Sequence, residues 1–101
     1  MSQSVSSISF SEDTLFLKGS FTFNTVSELQ EKGLSLLEKV NAQQVVLNLK
    51  EMRRIDSAGI ALLLEWKRYC QNNNKDLKLI EAQDQATSLI KTYKLQSLFS
   101  A

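Results

Sequence analysis

The sequence has no histidine and no proline, and its only cysteine is Cys70. Without histidine, the chain lacks the most common general base and metal ligand of proteins. A single cysteine cannot form a disulfide within the chain, and a zinc site would need further ligands. We therefore expect a free, buried thiol in a reducing compartment, and we expect neither a bound metal nor a cofactor. The absence of proline leaves no sequence signal for a hinge.

Long hydrophobic runs and an excess of one charge are also missing. The longest apolar run, GIALLL at 59–64, is far shorter than the roughly 20 residues that a membrane span needs. The first residues, MSQSVSSISF, lack the basic and apolar regions of a secretory signal. The formal net charge is +1, so no strong field attracts nucleic acid or an anionic membrane. These features together predict a cytoplasmic protein.

The 101 residues are predicted to form a single α/β domain over positions 1–101, with the element order β-β-α-β-α-β-α. Hydrophobic periodicity and turn residues predict strands at 4–10, 13–19, 44–50 and 77–82, and helices at 25–40, 57–71 and 84–95. The first two strands should form an antiparallel hairpin, and the strands joined by helices should pair in parallel. The apolar, β-branched strand at 44–50 suits burial on both faces. In the tail, Leu98 and Phe99 are expected to dock on the sheet.

The segment RRIDSAGIALLL at 53–64 places a carboxylate and a hydroxyl directly before an apolar helix. Asp56 and Ser57 are both favourable N-cap residues, because their side-chain oxygens accept unpaired N–H groups of the first helical turn. Gly59 in that turn would let another strand or chain approach closely. A capped helix after a βα loop explains the segment, and a functional surface explains it equally well.

Catalytic explanations do not fit this segment. Ser57 has no histidine that could activate it as a nucleophile. Asp56 is one carboxylate and not a spaced acid–base pair, and the chain lacks the glycine-rich run and lysine of a phosphate-binding loop. The sequence therefore predicts a protein that is not an enzyme.

The helix that follows is apolar on more than one side. Ile60 and Leu63 are predicted to pack on the sheet, which would leave Leu62 and Tyr69 near solvent. Single surface leucines and tyrosines are common in soluble proteins, but this pair beside small residues also fits a groove for a partner. On the second interpretation, a partner would contact five residues of this helix: Ser57, Ala58, Ala61, Leu62 and Tyr69. Tyr93 of the last helix could add a contact, and a place in the core fits it equally well.

The stretch VVLNLKEMRRIDSAGIALLLEWKRYCQNNNKDLKLIEA at 45–82 resembles the central signature of STAS domains. That signature is a buried strand, the motif Asp-Ser/Thr-x-Gly-Leu/Ile, a helix, a polar turn and a further strand. Asp56, Ser57, Gly59 and Ile60 match the motif position by position. The resemblance implies a STAS-like fold, with a small mixed sheet flanked by helices, and a non-catalytic protein-binding module.

Within this family, the chain looks more like the short stand-alone subunit of the lipid-asymmetry (Mla) ABC transporter. The triple leucine at 62–64, the asparagine-rich turn at 71–76 and KTYKL at 91–95 carry that likeness. It implies a cytoplasmic subunit that binds and supports the transporter ATPase and is peripheral to the inner membrane through its complex. The complex would maintain the lipid asymmetry of the outer membrane, and ATP would be bound by the partner.

The alternative branch is the anti-sigma factor antagonists, in which a partner kinase phosphorylates the serine after the aspartate. This resemblance implies that Ser57 is phosphorylated and that the phosphate switches partner binding. These antagonists usually carry a Gly-Glu/Arg-Leu-Asp element after the second strand. The chain has GSFTFN at 19–24 instead, which departs from that pattern.

Overall fold

A computed structural model of the chain describes residues 6–99. Its elements are β1 (Ser7–Ser11), β2 (Thr14–Phe21), α1 (Val26–Glu38), β3 (Gln44–Ile55), α2 (Ser57–Asn72), β4 (Asp76–Ile80), α3 (Asp84–Thr92) and α4 (Gln96–Phe99). The predicted α/β order is confirmed, with α4 as an additional short helix. Residues 4 and 5 of the first predicted strand lie outside the described residues. None of the described helices is long and apolar enough to cross a membrane.

The strands form a mixed sheet in the order β1-β2-β3-β4. β1 and β2 pair antiparallel, whereas β2, β3 and β4 pair in parallel, as predicted. The hairpin between β1 and β2 turns at Glu12 and Asp13, whose φ angles are 50° and 64°. Positive φ at both central residues is the geometry of a type I′ turn, whose twist matches that of the two strands.

One face of the sheet is buried, and the other face meets solvent. In β3, Val45, Leu47 and Leu49 are fully buried, whereas the alternating Val46 and Asn48 are only half-buried. The buried side chains join those of α1 and α2 in one hydrophobic core. The prediction that this strand is buried on both faces is therefore wrong, because its outward positions are not covered.

The strand β3 is also longer than predicted, since it continues through EMRRI to Ile55. Its pairing with β2 shifts register twice, between Phe16 and Lys18 and between Gly19 and Ser20. Such bulges add residues to one strand, so the buried positions Met52 and Ile55 are three residues apart instead of two. Because buried and exposed positions no longer alternate over EMRR at 51–54, this part of β3 resembled a loop in the sequence.

The two long helices pack through Trp66 of α2 and Gly33 of α1. Trp66 is 1% exposed, and a Cβ on Gly33 would overlap its indole ring. Leu62 lies four residues before Trp66, hence on the same face of α2, and it is only 4% exposed. The prediction that Leu62 lies near solvent is therefore wrong. Ile60 and Leu63 are buried, as predicted.

Cys70 is a free, buried cysteine of α2, as the sequence predicts. Burial raises the pKa of the Cys70 thiol above its usual value, although the neighbouring Lys75 and Lys67 act in the opposite direction. The thiol is therefore protonated at neutral pH and belongs to the core.

The C-terminal segment returns to the sheet through Phe99. After α3, Lys94 adopts a φ of 59°, and the Leu95 N–H donates to the Ile90 carbonyl over 2.9 Å. The chain then enters α4, which contacts β4 and buries Phe99. The expected docking of Phe99 is confirmed, while the side chain of Leu98 lies outside the described part of the chain.

Candidate functional site

The N-terminus of α2 is closed by the side chain of Asp56. This residue has extended backbone geometry, and its Oδ1 accepts the N–H groups of Ala58 at 2.9 Å and Gly59 at 3.2 Å. A carboxylate in this position pairs two of the free donors of the first turn and also interacts favourably with the helix dipole. Of the two predicted cap residues, Asp56 is therefore the one that caps the helix.

The same carboxylate also holds the loop that follows β2. Its Oδ2 accepts the N–H of Phe23 at 3.0 Å, across 33 positions of sequence. Within this loop, the Thr25 hydroxyl donates to the Ser20 carbonyl at 2.8 Å and accepts the Thr22 N–H at 3.0 Å. Asp56 thereby fixes the loop and the start of α2 relative to each other.

Phe23 is a candidate contact residue that the sequence analysis missed. It is 77% exposed, more than Phe16 or Tyr93, and its backbone N–H is held by Asp56. The GSFTFN segment was noted only because it departs from the antagonist pattern. A phenylalanine in a short polar loop was the available signal.

Ser57 occupies the first position of α2 with an exposed side chain. Among residues 6–99, no hydrogen bond involves its hydroxyl, so this group is available to a partner. Ala58 is half-buried and Ala61 is exposed, one turn further along the helix. We name Phe23, Ser57, Ala58 and Ala61 the α2 docking cluster.

Gly59 explains why the helix can start so close to the sheet. It is buried, and a Cβ at this position would overlap the Phe21 carbonyl at the end of β2 and the Ile55 side chain. The Asp56 N–H donates to the same Phe21 carbonyl over 3.4 Å. The predicted close approach at Gly59 is thus an approach to β2 of the same chain.

The other predicted contact residues do not join this cluster. Leu62 is in the core and offers no surface to a partner. Tyr69 is partly buried and lines a groove of about 250 Å³ between α1 and α2; it lies 12 residues after Ser57, or about 18 Å along the helix. Tyr93 is 47% exposed at the far end of α3. Gln85, in the first turn of that helix, lines one pocket together with Asp56 and Phe23.

Substitutions of Asp56 should separate its two roles. Asp56→Ala is expected to lower the free energy of unfolding by about 2 kcal/mol, because it removes the cap and the bond to Phe23. Asp56→Asn keeps an oxygen for the helix but turns an NH₂ donor towards the Phe23 N–H, so we expect about half that loss. Urea denaturation followed by Trp66 fluorescence measures both values. Equal losses for the two variants would contradict separate roles.

Comparison with known proteins connects this geometry to one family. The family model described as "Mlab, STAS domain" matches residues 5–100. A relative from Haemophilus influenzae, named intermembrane phospholipid transport system binding protein MlaB, is 33% identical over 84 residues. The match covers 81% of this chain and 80% of the relative.

Two solved structures share the fold at low identity. The Bacillus cell fate determinant SpoIIAA in its phosphorylated form has a TM-score of 0.68 and 13% identity, and the match covers 94% of this chain and 88% of that one. A sulfate transporter family protein from Wolinella succinogenes has a TM-score of 0.67 and 19% identity, and the match covers 83% of this chain and 67% of that one. At these identities the likeness concerns the fold and carries no function with it.

Proposed function

Because the chain belongs to the STAS family, matching the model described as "Mlab, STAS domain" over residues 5–100, we propose that it is a subunit of a phospholipid (Mla-type) ABC transporter. In this role it acts at the cytoplasmic face of the inner membrane, where it binds the transporter ATPase and supports its activity. The name of the Haemophilus influenzae relative supports this assignment. The chain performs no catalysis in this proposal, and ATP is bound by the partner.

The structural observation that carries the proposal is the α2 docking cluster. Phe23, Ser57 and Ala61 are exposed and Ala58 is half-buried, and Asp56 holds the two segments that supply them. The small side chains of Ala58 and Ala61 let a partner helix or loop come close, and the free Ser57 hydroxyl can donate or accept a hydrogen bond. Phe23 supplies an exposed aromatic anchor of the kind that dominates binding energy at protein interfaces.

Tyr69 and Tyr93 are secondary contact residues in this proposal. Both have accessible surface, but Tyr69 lies about 18 Å along α2 from Ser57, and Tyr93 lies about 12 Å along α3 from Gln85. A large ATPase could reach them only if its contact extended along α2 or along α3. We therefore expect smaller losses of binding on truncation of either tyrosine than on changes at Ala61 or Phe23.

Ala61→Asp tests the docking role. The exposed position should tolerate aspartate, so the melting temperature should stay within a few degrees of wild type. A charge pressed against the partner should weaken binding roughly 100-fold. The measurement is co-purification with the co-expressed ATPase of an Mla-type transporter, followed by titration of the purified components.

The matched control is Ser35→Asp, which places the same charge on the exposed side of α1. This variant should bind as wild type does. If wild type and ATPase never co-elute, the transporter assignment is wrong. If both aspartate variants bind equally well, the ATPase contacts another surface.

The second candidate function is a phosphorylation-switched regulator, favoured by the exposed Ser57 hydroxyl at a helix start. A phosphate there gains about 0.3–1 kcal/mol from the helix dipole. However, Asp56 already accepts the N–H groups of Ala58 and Gly59, and its negative charge opposes a second anion. Incubation with cell lysate and ATP, followed by intact mass measurement, distinguishes the candidates. An unchanged mass contradicts the regulator.

A further inference from the structure

The strand β3 extends well past the neighbour on one of its sides. Its pairing with β4 runs from Gln44–Asp76 to Asn48–Ile80 and ends there. β3 continues to Ile55, and on its other side it stays paired with β2 up to the Phe21–Ile55 partners. Among the described residues, 49–55 therefore have a strand on one side only, and the first turn of α3 lies against 52–55 on the other. At about 3.3 Å per residue, this free edge is about 23 Å long.

Two glutamine side chains occupy the ends of the free edge. The Nε2 of Gln83 donates to the Lys50 carbonyl at 3.0 Å, and the Oε1 of Gln85 accepts the Ile55 N–H at 3.0 Å. A glutamine amide carries the same donor and acceptor groups as a peptide bond. The two side chains thus make hydrogen bonds that a neighbouring strand would make, and both belong to exposed residues that a strand could displace.

The two glutamines and residues 50–53 of β3 help to line an open groove of about 660 Å³. Three cations line it, namely Lys18, Lys50 and Arg53, together with the carboxylates of Glu51 and Asp84. The ion pairs within the described part of the chain are Lys67–Asp76 and Arg68–Glu65. None of the three cations that line the groove is therefore paired with a carboxylate. The groove therefore has a positive excess that complements an acidic ligand.

We propose that the free edge of β3 binds an extended, acidic segment of a partner protein as an added strand. Unpaired strand edges bind extended peptides through main-chain hydrogen bonds, and the flanking side chains select the sequence. The acidic side chains of the segment lie against Lys18, Lys50 and Arg53. The inference is separate from the proposed transporter function, since it involves neither the α2 docking cluster nor an ATPase.

A fluorescein-labelled peptide of alternating Glu and Thr, about eight residues long to span the free edge, is the probe. Fluorescence anisotropy with the full chain should show saturable binding. A peptide of alternating Lys and Thr should bind at least roughly tenfold more weakly, because its charges oppose those of the groove. A Glu-Thr peptide that is N-methylated at every residue should also bind at least roughly tenfold more weakly, because neither of its edges can donate main-chain hydrogen bonds.

The double variant Lys50→Glu/Arg53→Glu should weaken binding of the acidic peptide by a further factor of roughly ten. The double variant Lys32→Glu/Lys39→Glu, at exposed positions of α1 and its C-cap, changes the net charge by the same amount; it is the matched control and should leave binding unchanged. If Lys50→Glu/Arg53→Glu does not fold, the N-methylated peptide still tests the proposal on the wild-type chain.

Several outcomes would overturn the inference. Equal binding of the N-methylated peptide would mean that charge alone attracts the probe. Equally strong competition by inorganic phosphate or by phosphatidylglycerol vesicles would assign the groove to an anion or to a lipid surface. Self-association of the chain that Lys50→Glu/Arg53→Glu abolishes would make a second copy the occupant. Absence of peptide binding up to about 1 mM would reject the added strand altogether.

Discussion

Leu62→Asp is expected to lower the free energy of unfolding by about 4 kcal/mol or more, which leaves much of the protein unfolded at 37 °C. Leu62 is 4% exposed and lies on the face of α2 that packs against α1 through Trp66 and Gly33. The substitution removes apolar contacts and buries a carboxylate for which this apolar site offers no partner. Each of these effects is large, and both act in the same direction.

Urea denaturation, followed through the fluorescence of Trp66, measures this loss directly because Trp66 is the only tryptophan. Ala61→Asp is the closest control, since it adds the same charge at the preceding, exposed residue. Leu62→Met, which nearly conserves volume, should cost less than about 1.5 kcal/mol. If Leu62→Asp unfolded at the same urea concentration as wild type, this face of α2 would be open to solvent.

Gly59→Ala is expected to destabilise the domain by about 3 kcal/mol, the second largest effect. Alanine usually stabilises a helix relative to glycine by up to about 1 kcal/mol, so the expected sign is the reverse of the helix preference. The reason is that the added Cβ overlaps the Phe21 carbonyl, a backbone group of β2, as well as the Ile55 side chain. Relief requires α2 to move away from the sheet, which strains the hydrogen bonds of Asp56.

The same denaturation experiment tests this variant, with Ser35→Ala on the exposed side of α1 as control. Ser35→Ala should be neutral or slightly stabilising, in line with helix preference alone. If Gly59→Ala were also neutral, the start of α2 would have room that the structure does not show. Gly59→Val should be worse than Gly59→Ala, because its branched side chain adds atoms to the same contact.

Local signals in the sequence predicted the elements, their order and the parallel pairing. The turn at Glu12 and Asp13, the alternation of β2 and the helical periodicity of α2 each depend on neighbouring residues. The errors arose where packing between distant segments decides. Whether Leu62 meets water depends on where α1 lies, and the periodicity of α2 alone cannot report that position.

In the candidate site, too, the features that depend on neighbouring residues were predicted, and those that depend on contacts between distant segments were not. Asp56, Ser57 and Gly59 were recognised because a cap residue and a glycine leave local marks in the sequence. Phe23 was missed because the feature that makes it a candidate is a hydrogen bond to Asp56 that spans 33 positions. Likewise, the free edge of β3 exists because the pairing with β4 ends at Asn48 while the pairing with β2 continues to Ile55, and the residues EMRR show no apolar alternation that would predict a strand.

The carboxylate of Asp56 receives three backbone N–H groups, from Phe23, Ala58 and Gly59. The backbone of the proposed docking surface is consequently fixed before any partner arrives, so association has little backbone entropy left to remove there. Partners would then be distinguished by how well their shape fits a rigid template, and differences in affinity should appear mainly in how slowly the complexes dissociate.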